Sequence, residues 1–524
     1  MPLTGQLIIG YDRVATAASF RVSDPARGVS IEPPFSIAGA AEADRACALA
    51  AAAFDPYRQA DRDARAHFLD TCAANLLALG DELLERAGLE TGLPRARLEG
   101  ERARTAAQLR LFAQVVRAGD WLGLRIDPAL PERKPLPRAD LRQRMIALGP
   151  VVVFGASNFP LAFSAAGGDV ASALAAGCPV VVKAHSSHPG TSELAASAIS
   201  AAAQQCGLPS GTYSHLSGSG NVLGAALVSD PRIKAVGFTG SRTGGLALVK
   251  LAAARAEPIP VYAEMSSINP VVLLAGALDT RAEAIATGFV ASLTLGSGQF
   301  CTNPGLVVAM ASAGLDRFIT AASAAVANTA PGQMLSQAIC SHYHESVKRL
   351  KHQAHVAHVA SGLAADGGNC SRSALFQVEA PHFIANAALA EEMFGPASLV
   401  IRCHDSAQLE QVLTGLEGQL TTTLQLEDTD HAVAARLLPI LERKVGRILV
   451  NGWPTGVEVC HAMVHGGPYP ATSDSRVTSV GTRAIERFLR PVCYQDVPQA
   501  LLPPELRDAD ALHLRRLVDG QYSS

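Results

Sequence analysis

The sequence has few aromatic residues, little net charge and no long apolar segment. Aromatic residues make up 5% of the 524 residues and hydrophobic residues 48%, so the apolar content is mostly Ala, Val and Leu, as suits helices packed on a parallel sheet. The net charge of −3 gives no electrostatic reason to expect a nucleic acid or an anionic membrane as a partner. No uninterrupted apolar run reaches the roughly 18 residues that cross a bilayer.

Signals for secretion and cross-linking are also missing. Residues 1–13 lack a basic segment followed by an apolar segment and a cleavage site, so we expect no secretory signal. The ten cysteines are scattered and form no CxxC pair, which in a chain of this size indicates reduced thiols and a cytoplasmic protein. For most of these cysteines we expect the role of a small buried hydrophobe.

The chain is too long for one ordinary core, so we expect two or three lobes. Residues 37–120 have helical spacing and few helix breakers. Strands then alternate with helices, beginning with a predicted buried strand at 146–156 and one predicted helix at 160–177. This alternation predicts a doubly wound parallel sheet whose binding crevice lies at the carboxyl ends of its strands.

Two further regions follow from the pattern. A second α/β series is predicted from residue 269 to about residue 450. Residues 122–146 contain four prolines among charged residues and then alternate, which predicts a β-ribbon outside the core. Another strand is predicted near residue 492, in the segment RPVCYQ.

Two polar side chains follow predicted strands of the first sheet. Asn158, at a junction between a strand and a helix, can point its amide into the crevice as an oxyanion donor, although capping the helix is the commoner role for an Asn there. Lys183 follows the next buried strand, where an ammonium group can bind phosphates or ribose hydroxyls. The alternative for Lys183 is a surface side chain.

A glycine-rich segment at residues 237–245 lies between a predicted strand and a predicted helix. Small residues at Gly240, Ser241 and Gly245 let backbone amides approach a pyrophosphate at the N-terminus of the helix. Taken alone, this pattern is a weak signal.

The segment SGSGNVLG, with Gly218, Gly220 and Gly224, has a similar composition. It looks like a dinucleotide fingerprint but lacks the acidic residue expected about 20 positions later at the end of a second strand. We therefore interpret it as a tight turn.

Glu264 and Cys301 form a further candidate pair. Glu264 ends a predicted strand, and Cys301 lies in a turn flanked by Gly298 and Gly305 after a predicted helix. A thiol in such a turn can be served by backbone amides, and a carboxylate in a polar break after a strand can act as a general base. Taken singly, a structural cysteine and an ion-paired glutamate are commoner.

In this order and spacing, the candidate residues resemble the aldehyde dehydrogenase superfamily from about residue 40 to residue 500. EEMFGP at 391–396 and HGGPYPATSD at 465–474 are further matches. The segments KAHSSHPGTSE and VYAEMSSINPV and the loop 451–474 are similar to the branch that contains 2-oxoglutarate semialdehyde (2,5-dioxovalerate) dehydrogenases. A neighbouring branch contains NADP-dependent fatty aldehyde dehydrogenases.

The resemblance implies an aldehyde dehydrogenase-like α/β fold and a NAD(P)-dependent oxidation of an aldehyde to an acid, in this branch 2-oxoglutarate. The Cys301 thiolate attacks the aldehyde carbon, and the Asn158 side chain and the Cys301 backbone amide hold the oxyanion. Glu264 then activates the water that hydrolyses the thioester.

For the cofactor, the resemblance implies contacts with the adenosine ribose, the pyrophosphate and the nicotinamide ribose and ring. The expected cofactor residues are Lys183, Ser186, Phe238, Thr239, Gly240, Ser241, Gly245, Glu392 and Phe394. Many family members have Lys-Pro-Ser-Glu where this chain has Lys183-Ala184-His185-Ser186. That Glu would repel a 2′-phosphate, whereas Ser186 can donate a hydrogen bond to it, so we predict that NADP is accepted and preferred.

A substrate with a second carboxylate needs a cationic or multi-donor partner. The resemblance places Arg104 and Arg110 on a helix at the entrance, Thr455 and His465 in the loop that closes over it, and Phe163 at its wall. The sequence does not select one of them, and a solvated helix face is the commoner position for either arginine.

The pattern and the resemblance together predict a Rossmann-type cofactor domain, a second α/β catalytic domain, a small β element for oligomerisation and a C-terminal extension. Their predicted ranges are 1–121 with 147–265, 266–465, 122–146 with 488–498, and 499–524, respectively. Because the β element resembles the oligomerisation element of the family, we expect a homodimer or a homotetramer.

His352, His355 and His358 recur every three residues, a spacing that could bind zinc on a helix. No nearby carboxylate or cysteine completes a site, and the oxidation needs no metal, so we predict no metal site.

Three alternative functions stay open. A fatty aldehyde dehydrogenase would need a long apolar tunnel. A CoA-acylating enzyme is disfavoured by Glu264, which indicates water as the acyl acceptor. A catalytically silent binding protein on the same fold is disfavoured by the joint presence of Asn158, Glu264, Cys301 and Glu392.

Overall fold

The computed structural model describes residues 3–218, 221–364, 368–509 and 512–523, and two seven-stranded sheets organise this part of the chain. Its α-helices are α1 Ala40–Gln59, α2 Arg62–Ala78, α3 Gly80–Thr91, α4 Arg95–Ala118, α5 Asp169–Ala176, α6 Pro189–Gln205, α7 Val222–Ser229, α8 Arg242–Ala253, α9 Ala275–Thr294, α10 Ala313–Ala327, α11 Gln337–Lys351, α12 Ala380–Ala385, α13 Ser406–Gly415 and α14 His431–Glu442. The first strands are β1 Leu7–Ile9, β2 Asp12–Val14, β3 Ser19–Ser23, β4 Ser30–Ser36, β5 Arg125–Asp127, β6 Leu141–Ala147, β7 Val151–Phe154, β8 Val180–Lys183, β9 Tyr213–Leu216, β10 Ala235–Thr239 and β11 Val261–Glu264. The others are β12 Pro270–Leu273, β13 Leu306–Met310, β14 Gly332–Gln333, β15 Ala357–Ser361, β16 Cys370–Ser371, β17 Ala374–Glu379, β18 Ala397–Cys403, β19 Gln419–Gln425, β20 Val445–Val450, β21 Leu489–Gln495, β22 Leu517–Val518 and β23 Gln521–Tyr522.

The first sheet has the strand order β11-β10-β7-β8-β9-β1-β2, and β7 to β11 pair in parallel. Side chains alternate along a strand, so Val151 and Val153 pack into one core and Val152 into the core on the opposite face. Both faces are covered, and the doubly wound sheet predicted from the sequence is confirmed. The antiparallel strands β1 and β2 at one edge were not predicted.

The parallel pairing brings the candidate residues to one edge of this sheet. Asn158 follows β7, Lys183 ends β8, Ser241 follows β10 and Glu264 ends β11. The carboxyl ends of parallel strands lie at the same edge, so four segments that are far apart in sequence meet there.

The second sheet has the order β15-β17-β18-β13-β12-β19-β20 and is parallel except for β15. It begins directly after β11, and the predicted second α/β series is confirmed. Cys301 lies between α9 and β13, at the edge of this sheet that faces the first one.

A third sheet, of order β21-β6-β5-β22-β23, confirms the predicted ribbon and the strand near residue 492. Strand β21 pairs antiparallel with β6 along its whole length, from Leu489 opposite Ala147 to Gln495 opposite Leu141. The C-terminal strands β22 and β23, which were not predicted, extend this sheet beyond β5.

Two predicted elements are wrong in detail. The expected helix over 160–177 is a π-helical turn, Leu161–Ala165, followed by α5, because Phe163 and Ser164 leave the helical φ/ψ region. A Cβ atom at Gly167 would lie 2.3 Å from the Ala162 carbonyl oxygen, so the chain folds tightly on itself there. The expected strand over 146–156 is divided between β6 and β7, which belong to different sheets.

The second glycine-rich segment is not a single turn. Gly220 lies outside the described residues, and Gly218 follows β9. Gly224 lies inside α7, where a Cβ atom would approach the Phe154 ring to 3.0 Å, so it is a packing glycine.

In the described residues, no helix is both long and apolar enough to cross a membrane.

The histidine repeat does not lie on one helix, as the zinc alternative would require. Helix α11 ends before His352, and His358 lies in β15. The His355 ring stacks on His382 at a centroid distance of 3.8 Å, and His358 Nε2 lies 2.8 Å from Ser361 Oγ. Within the described ranges, none of the three belongs to a group of at least three metal-ligating side chains.

Candidate active site

Cys301 lies just after a 3₁₀ turn, Leu295–Gly298, that ends helix α9. Gly298 has a φ of +66°, and a Cβ atom there would lie 2.3 Å from the backbone carbon of Gly395. This glycine therefore lets the segment that carries Glu392 approach the cysteine turn closely.

Asn269 fixes the conformation of the cysteine turn and was not predicted. Its Nδ2 donates to the carbonyl oxygens of Cys301 and Asn303, both at 2.9 Å. Its own backbone has a φ of +49°, which Asn adopts more readily than most residues. The only sequence signal was its position in SSINP, directly before β12.

Cys301, Glu264 and His465 form a compact cluster. The Cys301 Sγ lies 3.4 Å from His465 Nε2, and the same nitrogen lies 2.9 Å from Glu264 Oε1. Ser479 donates to the other carboxylate oxygen of Glu264 at 2.7 Å. The sequence predicted His465 as a substrate residue; in the structure its Nε2 contacts both the thiol and the carboxylate.

Glu264 is buried but ionised. Burial acts to raise the pKa of its carboxyl group, but the charge and hydrogen bond of His465, with hydrogen bonds from Ser479 and Cys301, lower the pKa below its usual value. Glu264 can therefore accept a proton at neutral pH.

The pKa of the Cys301 thiol is well above its usual value. Burial is the largest cause, followed by the negative charge and hydrogen bond of Glu264 and by the charge of Glu392. At neutral pH the resting residue is therefore a protonated thiol that must lose its proton when it attacks.

Asn158 is buried beside the cysteine turn, where its Nδ2 donates to the Gln299 carbonyl oxygen at 3.0 Å. The π-helical turn begins after Pro160 and has no side-chain cap, so the alternative that Asn158 caps this helix is wrong. Arg97 donates to the Asn158 carbonyl oxygen at 3.1 Å and fixes the backbone. The second amide hydrogen of Asn158 is available for a ligand.

A cleft of about 1070 Å³ opens next to the cluster, between the two large sheets. Its volume is slightly above the range of about 300–1,000 Å³ that is typical of small-molecule sites. The predicted site residues that line it are Asn158, Thr239, Gly240, Ser241, Glu264, Cys301, Glu392 and Phe394.

Glu392 is the second carboxylate of the cleft that has a shifted pKa. Burial raises its pKa to about 7, although hydrogen bonds from the Ser266 side chain and the Ser267 backbone act in the opposite direction. A strongly perturbed carboxyl group in a large cleft is typical of a functional site.

The predicted cofactor residues around the turn after β10 do not all face the cleft. Ser241 caps α8 by accepting a hydrogen bond from the Gly244 amide at 3.2 Å, and the Gly245 amide donates to the Ser241 carbonyl oxygen within the helix. A Cβ atom at Gly245 would lie 2.8 Å from Met265 Sδ, so Gly245 serves helix–strand packing and its amide does not face the cleft. The Phe238 ring packs beside the same turn.

Lys183 and Ser186 lie at the end of β8. Lys183 is half-buried, and burial lowers the pKa of its ammonium group. Ser186 is exposed in the turn that follows.

The predicted substrate residues lie in different environments. The centroid of the Phe163 ring lies 6.3 Å from that of the His465 ring, and the Arg104 guanidinium carbon lies 5.1 Å from the Phe163 centroid. Arg110 is exposed on α4. The Thr455 hydroxyl pairs with Ser292 of α9 at 2.8 Å.

A protonated thiol beside an ionised carboxylate, at the mouth of a cleft between two sheets, is an arrangement suited to an enzyme that forms a covalent intermediate on the thiol. The chain belongs to the aldehyde dehydrogenase family: the family described as "Aldehyde dehydrogenase family" matches residues 14–476. The predicted family and fold are thereby confirmed.

Three relatives illustrate this membership. The chain is 58% identical to alpha-ketoglutaric semialdehyde dehydrogenase 2 of Azospirillum brasilense over 99% of this chain and 100% of the relative. It is 51% identical to alpha-ketoglutaric semialdehyde dehydrogenase of Acinetobacter baylyi over 93% of this chain and 92% of that protein. A crystal structure of 1-pyrroline-5-carboxylate dehydrogenase from Thermus with bound NAD shares the fold, with a TM-score of 0.79 and 21% identity over 94% of this chain and 92% of that one.

Proposed function

We propose that this chain oxidises 2-oxoglutarate semialdehyde to 2-oxoglutarate with a nicotinamide cofactor, through a thioester on Cys301. The observation that carries the proposal is the contact of Cys301 Sγ with His465 Nε2 at 3.4 Å and of that nitrogen with Glu264 at 2.9 Å. The substrate follows from the two relatives that are 58% and 51% identical, whose names specify alpha-ketoglutaric semialdehyde.

In the first half of the reaction, the Cys301 sulfur bonds to the aldehyde carbon and its proton passes to Glu264. The second amide hydrogen of Asn158 and the Cys301 backbone amide stabilise the resulting oxyanion, and losing one such donor typically costs about 3 kcal/mol of barrier. When bound, the nicotinamide cofactor supplies the acceptor for the hydride that leaves the thiohemiacetal carbon. The product of this half is a thioester on Cys301.

In the second half, Glu264 first releases its proton to solvent and then takes one from the attacking water. The carbon–sulfur bond breaks, the acid leaves, and the proton held by Glu264 returns to the Cys301 sulfur. His465 and Ser479 are positioning residues, because both bind the Glu264 carboxylate and hold it beside the thiol.

The cleft supports binding of NAD or NADP. Its volume is sufficient for a dinucleotide, and it extends from the turn after β10 to the Cys301 cluster. We propose that Thr239, Gly240 and Ser241 bind the pyrophosphate, that Glu392 accepts hydrogen bonds from the nicotinamide ribose and that Phe394 packs beside the ring. Lys183 and Ser186 at the end of β8 would hold the adenosine ribose.

Preference for NADP over NAD is part of the proposal. Lys183 supplies a positive charge and the exposed Ser186 a hydroxyl donor, and both suit a 2′-phosphate. We expect wild type to show a higher kcat/KM with NADP. The variant Ser186→Glu should lower kcat/KM for NADP by about tenfold or more through like-charge repulsion.

NAD serves as the internal control for this variant, because it lacks the 2′-phosphate. The kcat/KM for NAD should stay constant or rise in Ser186→Glu. A wild-type preference for NAD, or an equal loss with both cofactors, would contradict the proposed role of Ser186.

The substrate proposal is tested by comparing 2-oxoglutarate semialdehyde with decanal as a fatty aldehyde. We expect kcat/KM to be at least about 100-fold higher for the semialdehyde, because a site built to pair with a polar group discriminates strongly against substrates that lack it. A preference for decanal would support the fatty aldehyde alternative instead.

We also propose the division into domains and the assembly. Residues 1–121 and 147–265 would form the cofactor domain, 266–465 the catalytic domain, and the third sheet a contact between subunits of a homodimer or homotetramer. This division is supported by the sheet topology, because each of the three parts contains a sheet of its own. A cytoplasmic location is supported by the ten free cysteines.

A further inference from the structure

Arg104 of α4 carries a buried hydrogen-bond donor with no acceptor. Its Nε and Nη2 both donate to one acceptor, the Val457 carbonyl oxygen, at 3.3 Å. Its Nη1 is buried and has no hydrogen-bond partner among the described residues. A buried charged donor without an acceptor is costly, so such an atom indicates a group that binds there.

The unpaired nitrogen belongs to a side chain that packs near the reacting thiol. The Arg104 guanidinium lies 5.1 Å above the Phe163 ring, whose centroid lies 6.3 Å from that of His465. His465 Nε2 in turn lies 3.4 Å from Cys301 Sγ. Arg104 and Cys301 are therefore connected through the Phe163 and His465 rings, and Phe163 is the residue predicted to form a wall of the substrate site.

The surroundings of Arg104 are mainly apolar. Phe163 clusters with Ala156, Ala162 and Val480, and partly buried Phe159, Val457, Val459 and Met463 pack against them. Glu101, the nearest carboxylate along α4, accepts hydrogen bonds from the Leu161 and Ala162 amides. A carboxylate that enters this apolar wall would therefore meet one unpaired cationic donor.

The pKa of Arg104 is consistent with this position. Burial lowers it, and negative charge on Glu101, then on Cys301, Glu458 and Glu264, raises it. The guanidinium is therefore within electrostatic reach of the reacting groups.

Two other arginines near the site donate hydrogen bonds to backbone carbonyl oxygens. Arg447 donates from both terminal nitrogens to the Gly456 and Pro454 carbonyl oxygens, each at 2.7 Å, and so holds the loop; its Nε is buried without a partner among the described residues, but neither terminal nitrogen is unpaired. Arg97 packs over Phe159 and donates to the Asn158 carbonyl oxygen. Both are already committed to backbone carbonyls.

We propose that Arg104 binds the carboxylate of the substrate at the end remote from the aldehyde, and that it selects aldehydes of the oxo-acid class over neutral aldehydes. This inference deepens the proposed function and rests on it for the identity of the substrate. The contact is a charge-assisted hydrogen bond, and no covalent bond forms or breaks at Arg104.

The test compares Arg104→Gln and Arg104→Lys with Arg117→Gln, a matched change of an exposed arginine on the same helix. The substrates are 2-oxoglutarate semialdehyde, succinate semialdehyde and pentanal, which lacks a carboxylate. In Arg104→Gln we expect KM for both acids to rise about tenfold or more, with kcat/KM for pentanal within about twofold of wild type. Arg104→Lys should be intermediate, and Arg117→Gln should match wild type.

A binding measurement that needs no turnover accompanies the kinetics. The product 2-oxoglutarate should protect Cys301 from iodoacetamide in wild type, and the concentration needed should rise about tenfold in Arg104→Gln. If pentanal oxidation falls as much as that of the acids, or if KM for the acids and the protection are unchanged, the proposal is overturned. If wild type fails on 2-oxoglutarate semialdehyde but oxidises succinate semialdehyde in an Arg104-dependent manner, the proposed substrate is wrong and the role of Arg104 stands.

Discussion

Replacing Cys301 by alanine removes formation of the reduced nicotinamide cofactor from the aldehyde, with a loss of at least about 10⁴-fold in kcat. The reason is that the sulfur forms the covalent bond on which both halves of the reaction depend. The measurement is the absorbance of reduced cofactor in the presence of 2-oxoglutarate semialdehyde.

The matched control is Cys370→Ala, since Cys370 is also partly exposed but lies in β16 and does not line the cleft. We expect its activity to equal that of wild type. If Cys301→Ala retains activity, or if Cys370→Ala loses it to the same extent, Cys301 is not the nucleophile.

Replacing Glu264 by glutamine slows turnover by about 10²–10⁴-fold, the usual contribution of a general base. The first turnover should still occur, because the pKa of the thiol falls once the neighbouring negative charge is gone and the thiol then loses its proton to solvent instead of to Glu264. We therefore expect a burst of reduced cofactor close to one equivalent per chain, followed by a slow phase that reports hydrolysis of the thioester.

The same variant slows turnover but should make the Cys301 thiol more reactive towards an alkylating reagent. Glu264 raises the pKa of Cys301, so its removal lowers that pKa, and alkylation of Cys301 by iodoacetamide should begin at lower pH. Peptide mass spectrometry resolves Cys301 from the other cysteines. Glu442→Gln, a change of an exposed residue at the end of α14, should alter neither turnover nor alkylation. Unchanged turnover in Glu264→Gln, or an alkylation profile displaced to higher pH, would contradict the role of Glu264.

The sequence was most informative where the geometry of a parallel sheet alone determines where a residue lies. Four strand ends that lie at one edge of a parallel sheet predict that Asn158, Lys183, Ser241 and Glu264 converge, and the strand pairing confirms the shared edge. Asn158 alone was ambiguous, and only the contact with Gln299 across 141 residues removes helix capping as its role.

Other features depend on contacts that no local pattern contains. His465 is 164 residues from Cys301, and its place between thiol and carboxylate depends on how the loop after β20 folds back over β11. The break in the helix after Leu161 results from the close approach of Gly167 to Ala162, which has no signal beyond a pair of glycines. The unpaired nitrogen of Arg104 is likewise visible only once its neighbours are known.

The central claim, that Cys301 carries the substrate as a thioester which Glu264 hydrolyses, is tested most directly by trapping that species. Glu264→Gln is mixed with 2-oxoglutarate semialdehyde and NADP, quenched in acid within the burst and analysed by peptide mass spectrometry. We predict that the Cys301 peptide carries an added mass equal to the 2-oxoglutaryl group and that wild type under the same conditions does not accumulate it. Reduced cofactor formed with an unmodified Cys301 peptide, or with the acyl group on another residue, would contradict the account.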